Sequence, residues 1–438
     1  MYDIVIGRDE ADKKKFGSKG VILLGKHYVQ MGRTTSLSNP VYLDVTRSHV
    51  VFICGKRGSG KSYTMGVIAE GVADLPDEVK QNISIVMLDT MGVYWTMKYP
   101  NKKDELLLKQ WGMRPKALDV KIYTPAGFHN KFLKQGIPTD APFSIKPNEL
   151  DSTDWSLTFG VSKTDPIGVL IERIINTLKK EKPEYSIEDI IKKVRSDDRS
   201  EQAVRDAVEN RFLNTESWGL FDEKGTSLHD LAKGGQVTIL DVSCYATASN
   251  GWEIKNLVIG LISQKLFIQR MVARKDEEYQ QVHSSIHSFG EESTTKQEMP
   301  LVWLVIDEAH EFLPHDGKTA ATDALITILR EGRQPGISLI LATQQPGKIH
   351  TDVMTQADTV ISHRITAKLD VEALGMLMQS YMREGLTGEL DKLPGAKGSA
   401  IIFDDTNERM YPLRIRPRLT WHGGESPIAI HKTESKLE

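Results

Sequence analysis

Residues 50–64 read VVFICGKRGSGKSYT and constrain the fold more than any other stretch. Val50, Val51, Phe52, Ile53 and Cys54 form a β-prone apolar run of the kind that a parallel sheet buries. Gly55-Lys56-Arg57-Gly58-Ser59-Gly60-Lys61-Ser62 then fits G-x-x-x-x-G-K-[ST] without a mismatch. Glycines let backbone N–H groups turn inward and approach phosphate oxygens closely. The helix expected after Ser62 aims its positive end at the same place. Lys61 can reach β- and γ-phosphates, and the Ser62 hydroxyl can ligate Mg²⁺. A strand before the loop and a helix after it set this apart from a chance glycine-rich turn. Gly55, Gly58, Ser59, Gly60, Lys61, Ser62 and Tyr63 are therefore the candidate nucleotide-binding residues.

The 438 residues allow two or three domains, or one elaborated α/β domain. Formal net charge is −3, so any nucleic-acid contact must come from a local patch or an assembled ring. Cys54 and Cys244 each lie in or beside an apolar run, which argues against a disulfide framework or a zinc site. No apolar run approaches the ~20 residues of a membrane span. The opening MYDIVIGRDEADKKK lacks an apolar signal core, so a cytoplasmic location away from membranes is expected.

Strands and helices alternate from residue 48 onward, with strands of buried type. That pattern predicts a doubly wound, mainly parallel α/β sheet of P-loop NTPase type. Residues 1–47 carry short β-like pieces and read as a small N-terminal β element. Residues 48–144 and 233–420 read as two parts of one core. The charge-rich, helix-periodic stretch 145–232 reads as a helical insertion, with Ser186 and Asp189 as a capping start, and 421–438 as a tail. A long helix is predicted from Trp252 to Arg274, then an exposed polar loop over 275–299. His283 and His287 lie there four apart and read as solvated loop histidines rather than a metal pair. Ala400–Phe403 and Met410–Ile415 read as a closing hairpin or edge pair. Arg414, Arg416 and Arg418 would face one way on an extended segment.

Ile83–Leu88 predicts a buried strand ending in Asp89, whose carboxylate would face the ligand crevice. Leu301-Val-Trp-Leu-Val-Ile306 is the most apolar run of the second half and ends in Asp307-Glu308-Ala309-His310. Beside an intact phosphate loop, Asp307 would hold Mg²⁺ through water and Glu308 would polarise the attacking water. After the strand Ile337–Leu341, Gln344 suits a γ-phosphate sensor, with a structural amide as the alternative.

Four blocks in order carry a family resemblance: GKRGSGKSYT at 55–64, VIDEAHEFLP at 305–314, LREGRQPGISLILATQQP at 329–346, and TVISHRITAKLDVEAL at 359–374. With them the chain resembles the HerA branch of the HerA/FtsK superfamily of P-loop ATPases. The resemblance implies a homo-hexameric ring that moves double-stranded DNA through its centre, binds ATP with Mg²⁺ between subunits, and works with a partner nuclease. On it Arg333 matches an arginine finger given to the neighbour's nucleotide, with Arg330 as the competing candidate. Gln344 matches the sensor, and Lys348 and Lys368 sit where related motors place DNA-contacting loops, though both also read as ordinary surface lysines. Two departures stand out: the N-terminal barrel is much reduced, and Gly92-Val93-Tyr94 replaces the family's G-E-Y.

A second function class is a regulatory or defence ATPase whose ring scaffolds an effector without processive translocation. A P-loop kinase of small molecules fits poorly with an Asp-Glu pair followed by a finger-like arginine and a sensor Gln.

Overall fold

The structure is a computed structural model and describes residues 3–31, 34–248, 250–287, 299–365, 368–376 and 388–424. Its strands are β1 (Ile4–Ile6), β2 (Val21–Met31), β3 (Thr34–Asp44), β4 (Val50–Cys54), β5 (Ile83–Asp89), β6 (Val120–Pro125), β7 (Ala141–Phe143), β8 (Val237–Asp241), β9 (Leu301–Ile306), β10 (Ile337–Thr343), β11 (Thr359–His363), β12 (Ser399–Asp404) and β13 (Arg409–Ile415). They form one sheet in the order β1-β3-β2-β13-β12-β11-β4-β10-β9-β5-β8-β6-β7. From β11 through β7 every neighbouring pair is parallel; from β3 through β11 every pair is antiparallel. The fold is thus the doubly wound, mainly parallel sheet of P-loop NTPases.

The apolar runs are continuous because both faces of the parallel block are covered. Along β4, Phe52 and Cys54 join one core layer while Val51 and Ile53 join the other. Along β9, Leu304 and Ile306 share the first layer and Trp303 and Val305 the second. The first layer also takes the buried faces of helices Pro166–Glu181, Ile187–Arg195 and Gln202–Asn214. Ser186 caps the middle one, with a reciprocal hydrogen bond from its own N–H to Asp189. The second layer is filled largely by helix Lys61–Ala73.

The small N-terminal β element joins the main sheet, since β2 pairs with β13. Two expectations change. The hairpin β12–β13 is accordingly interior, bridging β11 and β2, rather than a closing edge. The long helix runs Gly251–His287 and does not stop at Arg274, so 275–287 is helix and not loop. Its apolar half is buried from Ile254 to Leu266, whereas Ile268, Val272, Tyr279 and Val282 are exposed. The rings of Tyr279 and His283 lie 4.3 Å apart. Among the described residues no cluster of three or more His, Cys, Asp or Glu could hold a metal. Residues 288–298 lie outside the described residues.

Arg416 and Arg418 follow β13 and turn onto helix Lys61–Ala73. Their guanidinium groups, with Thr420 Oγ1 and the N–H groups of Leu419 and Thr420, converge on the buried carboxylate of Glu70. Burial would raise that carboxylate, but the two arginines outweigh it and hold it below its ordinary range. Arg414 stays in the sheet opposite Ser399.

Candidate active site

A parallel sheet sends the C-terminal ends of its strands to one edge, and here β4, β9 and β10 lie side by side in the order β4-β10-β9. Gly55 leaves β4 with no room for a side chain: a Cβ would lie 2.5 Å from Ser59 Oγ and 2.7 Å from His363 Cβ. Gly60, at φ +118, is the cap of helix Lys61–Ala73, a backbone shape that favours glycine. Lys61 is buried, and its ammonium donates to the carbonyls of Gly55 at 3.0 Å and Lys56 at 3.2 Å. Burial pushes it below its ordinary pKa, against the pull of Asp307 and Glu308. Ser59 Oγ is buried and has no hydrogen-bond partner among the described residues.

Ser62 Oγ donates to Asp307 Oδ2 at 2.6 Å, which joins the phosphate loop to the end of β9. Burial raises the Asp307 carboxyl, and the Ser62 hydrogen bond partly offsets it. Glu308 follows with φ +50 and ψ 43, a left-handed conformation that costs energy for a non-glycine residue. Its Oε1 accepts from Gln344 Nε2, and its Oε2 is buried with no hydrogen-bond partner among the described residues. The structure therefore brings Lys61, Ser62, Asp307, Glu308 and Gln344 together. Two oxygen donors, Ser62 and Asp307, suit a hard divalent cation that takes its remaining ligands from water and phosphate.

Other residues are placed elsewhere. The Tyr63 hydroxyl accepts from the Arg418 backbone N–H at 2.6 Å, and its ring meets His422 edge-on at 5.3 Å. The phenol is engaged by the C-terminal segment and not by the phosphate loop. Asp89 does not open into the crevice: it is buried and accepts from the N–H groups of Met91, Gly92 and Tyr94. Burial and the neighbouring Asp241 push its carboxyl up. Arg333 is exposed and lies before β10, at the opposite end of that strand from Gln344. Arg330 is exposed too, but its Nε donates to Asp352 Oδ2 at 2.6 Å. Lys348 is exposed in the turn Pro346–Lys348 just beyond Gln344. Lys368 opens helix Lys368–Met376, and its side chain lies outside the described residues.

Two supporting residues escaped the sequence reading. His363 is fully buried beneath the phosphate loop, where burial pushes its pKa down to about 4. The neutral ring donates from Nδ1 to Ser399 O at 3.3 Å and accepts from Thr64 Oγ1 at Nε2, 2.9 Å away. Only its place at the end of an apolar strand signalled it. Arg270, fully buried on the long helix, donates to Pro335 O at 2.7 Å and so holds the loop that carries Arg333. Gly336, at φ +89, makes the turn from that loop into β10.

Comparison with known proteins places this arrangement. Residues 29–265, over half of the chain, match the family described as "Helicase HerA, central domain", and residues 291–383 match one described as "Zonular occludens toxin (Zot)". "Probable DNA double-strand break repair helicase HerA" of Methanocaldococcus jannaschii is 23% identical over 362 residues, 75% of this chain and 65% of that protein. "DNA double-strand break repair helicase HerA" of Pyrococcus furiosus is 26% identical over 142 residues, 32% of this chain and 24% of that one. The matched part thus spans less than two thirds of either relative. The solved structure of VirB4 of Thermoanaerobacter pseudethanolicus shares the fold, with a TM-score of 0.53 at 13% identity, over 91% of this chain and 96% of that one. By the match over residues 29–265, the chain belongs to the family of the HerA helicase central domain.

Proposed function

We propose that the chain is an ATP-driven motor on double-stranded DNA that works as a homo-hexameric ring with ATP bound between subunits, alongside a partner nuclease in processing DNA ends. The observation that carries hydrolysis is the joined set Ser62–Asp307 and Glu308–Gln344 at the ends of β4, β9 and β10. The DNA substrate and the repair setting rest on kinship with proteins named double-strand break repair helicases.

In this reading the glycine-rich turn cradles the phosphates with its N–H groups. Lys61 leaves the Gly55 and Lys56 carbonyls for β- and γ-phosphate oxygens. Ser62 directly and Asp307 through water would hold Mg²⁺, which when bound would neutralise charge on the transferring phosphoryl group. Glu308 orients the attacking water with its unpartnered Oε2, and Gln344 fixes Oε1 and stands by the γ-phosphate. Arg333, too far along β10 to reach its own site, serves the neighbour's.

The test is ATP turnover by purified protein with and without duplex DNA. Wild type should hydrolyse ATP faster with DNA, and Glu308→Gln should bind ATP without turning it over. Hydrolysis that ignores DNA would favour the scaffold reading. Wild-type turnover by Glu308→Gln would remove Glu308 from the chemistry.

A further inference from the structure

Directly behind Glu308, His310 touches both strands' ends. Its Nδ1 lies 3.0 Å from Thr343 Oγ1 and 3.6 Å from the unpartnered Glu308 Oε2. Its Nε2 lies 3.3 Å from Gln345 Nε2. An amide nitrogen is a donor, so the ring accepts at Nε2 and carries its proton on Nδ1, toward Thr343 and Glu308. Glu308 and His310 therefore hold neighbouring residues of one turn: Glu308 takes Gln344, and His310 takes Gln345.

The turn so held is also laced by backbone to the segment after Glu308. His315 N–H donates to Lys348 O at 2.9 Å, and His350 N–H donates to Leu313 O at 2.8 Å. Pro314 and Ile349 form an antiparallel bridge between the two segments. Lys348 N–H closes the turn onto Gln345 O at 3.0 Å, and Gln345 N–H donates to Thr343 Oγ1 at 3.0 Å. A displacement of exposed Lys348 has a short path of hydrogen bonds to the carboxylate, and His310 joins its two ends beside the direct Gln344–Glu308 bond.

We propose that His310 is a positioning residue that ties Glu308 to the loop Gln345–Lys348, so that contact made at this loop sets the rate of hydrolysis. This rests on the reading of Lys348 as a DNA-contacting residue. With the ring removed, Glu308 Oε2 loses the imidazole 3.6 Å away and Gln345 loses its side-chain partner, so the turn is left with the Gln344 anchor alone. Misplacing a water-orienting group costs turnover rather than nucleotide binding.

The test measures ATP turnover of full-length protein at saturating ATP, with and without duplex DNA. His310→Ala should lower kcat by about tenfold or more while the KM for ATP stays within about twofold, and stimulation by DNA should fall close to none. His310→Asn places an amide near the Nδ1 position only. It should recover most basal turnover without the DNA response, since Gln345 stays unheld. Gln345→Ala should lose the DNA response as well, and it keeps the test open if His310→Ala fails to fold by thermal melting. A slowed His310→Ala that keeps full stimulation overturns the link. A defect confined to KM also overturns the proposal, because His310 would then serve binding. If wild type itself ignores DNA, the DNA reading fails, and His310 is judged on basal kcat alone.

Discussion

Arg333 tests assembly and chemistry together. β10 has 7 residues, which at ordinary strand rise separates its ends by about 20 Å. Gln344 follows one end of β10, and Arg333 precedes the other on a loop pinned by Arg270. No rotamer carries the guanidinium that distance, so a finger at Arg333 must act on another subunit. Arg333 is exposed and has no ion-pair partner among the described residues, so Arg333→Ala should cost at most about 0.5 kcal/mol of stability. Its own phosphate loop remains intact, and ATP should bind as in wild type. Turnover should fall on the order of 10³-fold, or about 4 kcal/mol of transition-state stabilisation. Arg330→Ala is the control, since that arginine is paired with Asp352.

Mixing supplies the sharper readout. Arg333→Ala and Lys61→Ala proteins should each be nearly inactive alone. In randomly mixed rings about one quarter of interfaces set an intact Lys61 against an intact Arg333, and up to that share of wild-type activity should return. Coupling between sites would lower the yield without abolishing it. The assay is phosphate release after equal mixing, with subunit exchange followed by fluorescence transfer between labelled subunits. Exchange without any recovered activity would refute a trans role for Arg333.

Lys61→Ala should weaken ATP binding and abolish hydrolysis, whereas Glu308→Gln should keep tight binding; a fluorescent nucleotide titration separates them. Lys348→Ala and Lys368→Ala should each weaken DNA binding across sequences and lower the salt slope by about one for each DNA phosphate left without its lysine, as read by anisotropy over a salt series. Stability should respond to pH through two histidines with opposite signs. Burial would lower His49, but Asp358 and Asp44 outweigh it and raise its pKa to about 9, so its contribution is full below the ordinary 6.5 and is lost as pH rises through 9. His363, pushed down to about 4, contributes fully above 6.5 and loses its share as pH falls toward 4. Urea melts of His49→Gln against wild type should therefore show a gap that narrows above pH 6.5, and those of His363→Gln a gap that narrows below it.

The parallel core was legible because burial on both faces leaves a mark that needs no partner to read. β4 and β9 are unbroken apolar runs, β5 and β10 are interrupted only by Ser84 and Ser338 before their C-terminal ends, and each leads into a chemical residue. The helices of 145–232 were legible for a similar reason, since one apolar face and local caps specify them. β6 and β7 left weaker marks: β6 carries Lys121 and ends in a proline, and β7 has three residues. Past Arg274 the long helix resembles a loop in sequence because its residues are polar and bury little, although good helix formers such as Lys275, Glu277, Glu278, Gln280 and Gln281 fill it. Supports drawn from distant sequence were illegible in principle. Nothing near Glu70 announces Arg416 and Arg418, which arrive from the other end of the chain. Nothing near Gly60 announces His363.

Arg333 and Gln344 flank the two ends of one strand, and on the proposed roles that strand would link them. β10 sits between β4 and β9, hydrogen-bonded to both, with every residue from Ile337 to Thr343 buried. Such a strand cannot bend without breaking two ladders and reopening both core layers, so it transmits displacement of one end to the other. Gln344 and Gln345 leave one end, each held by a side chain of the Asp307–His310 segment. Gly336 turns the chain at the other end, and Arg270 clamps the loop there. On the trans reading, a shift of Gln344 on loss of the γ-phosphate pushes on the same rigid element that aims Arg333 at the neighbour. On that reading hydrolysis in one subunit would bias the next through a single strand, and no separate relay would be required.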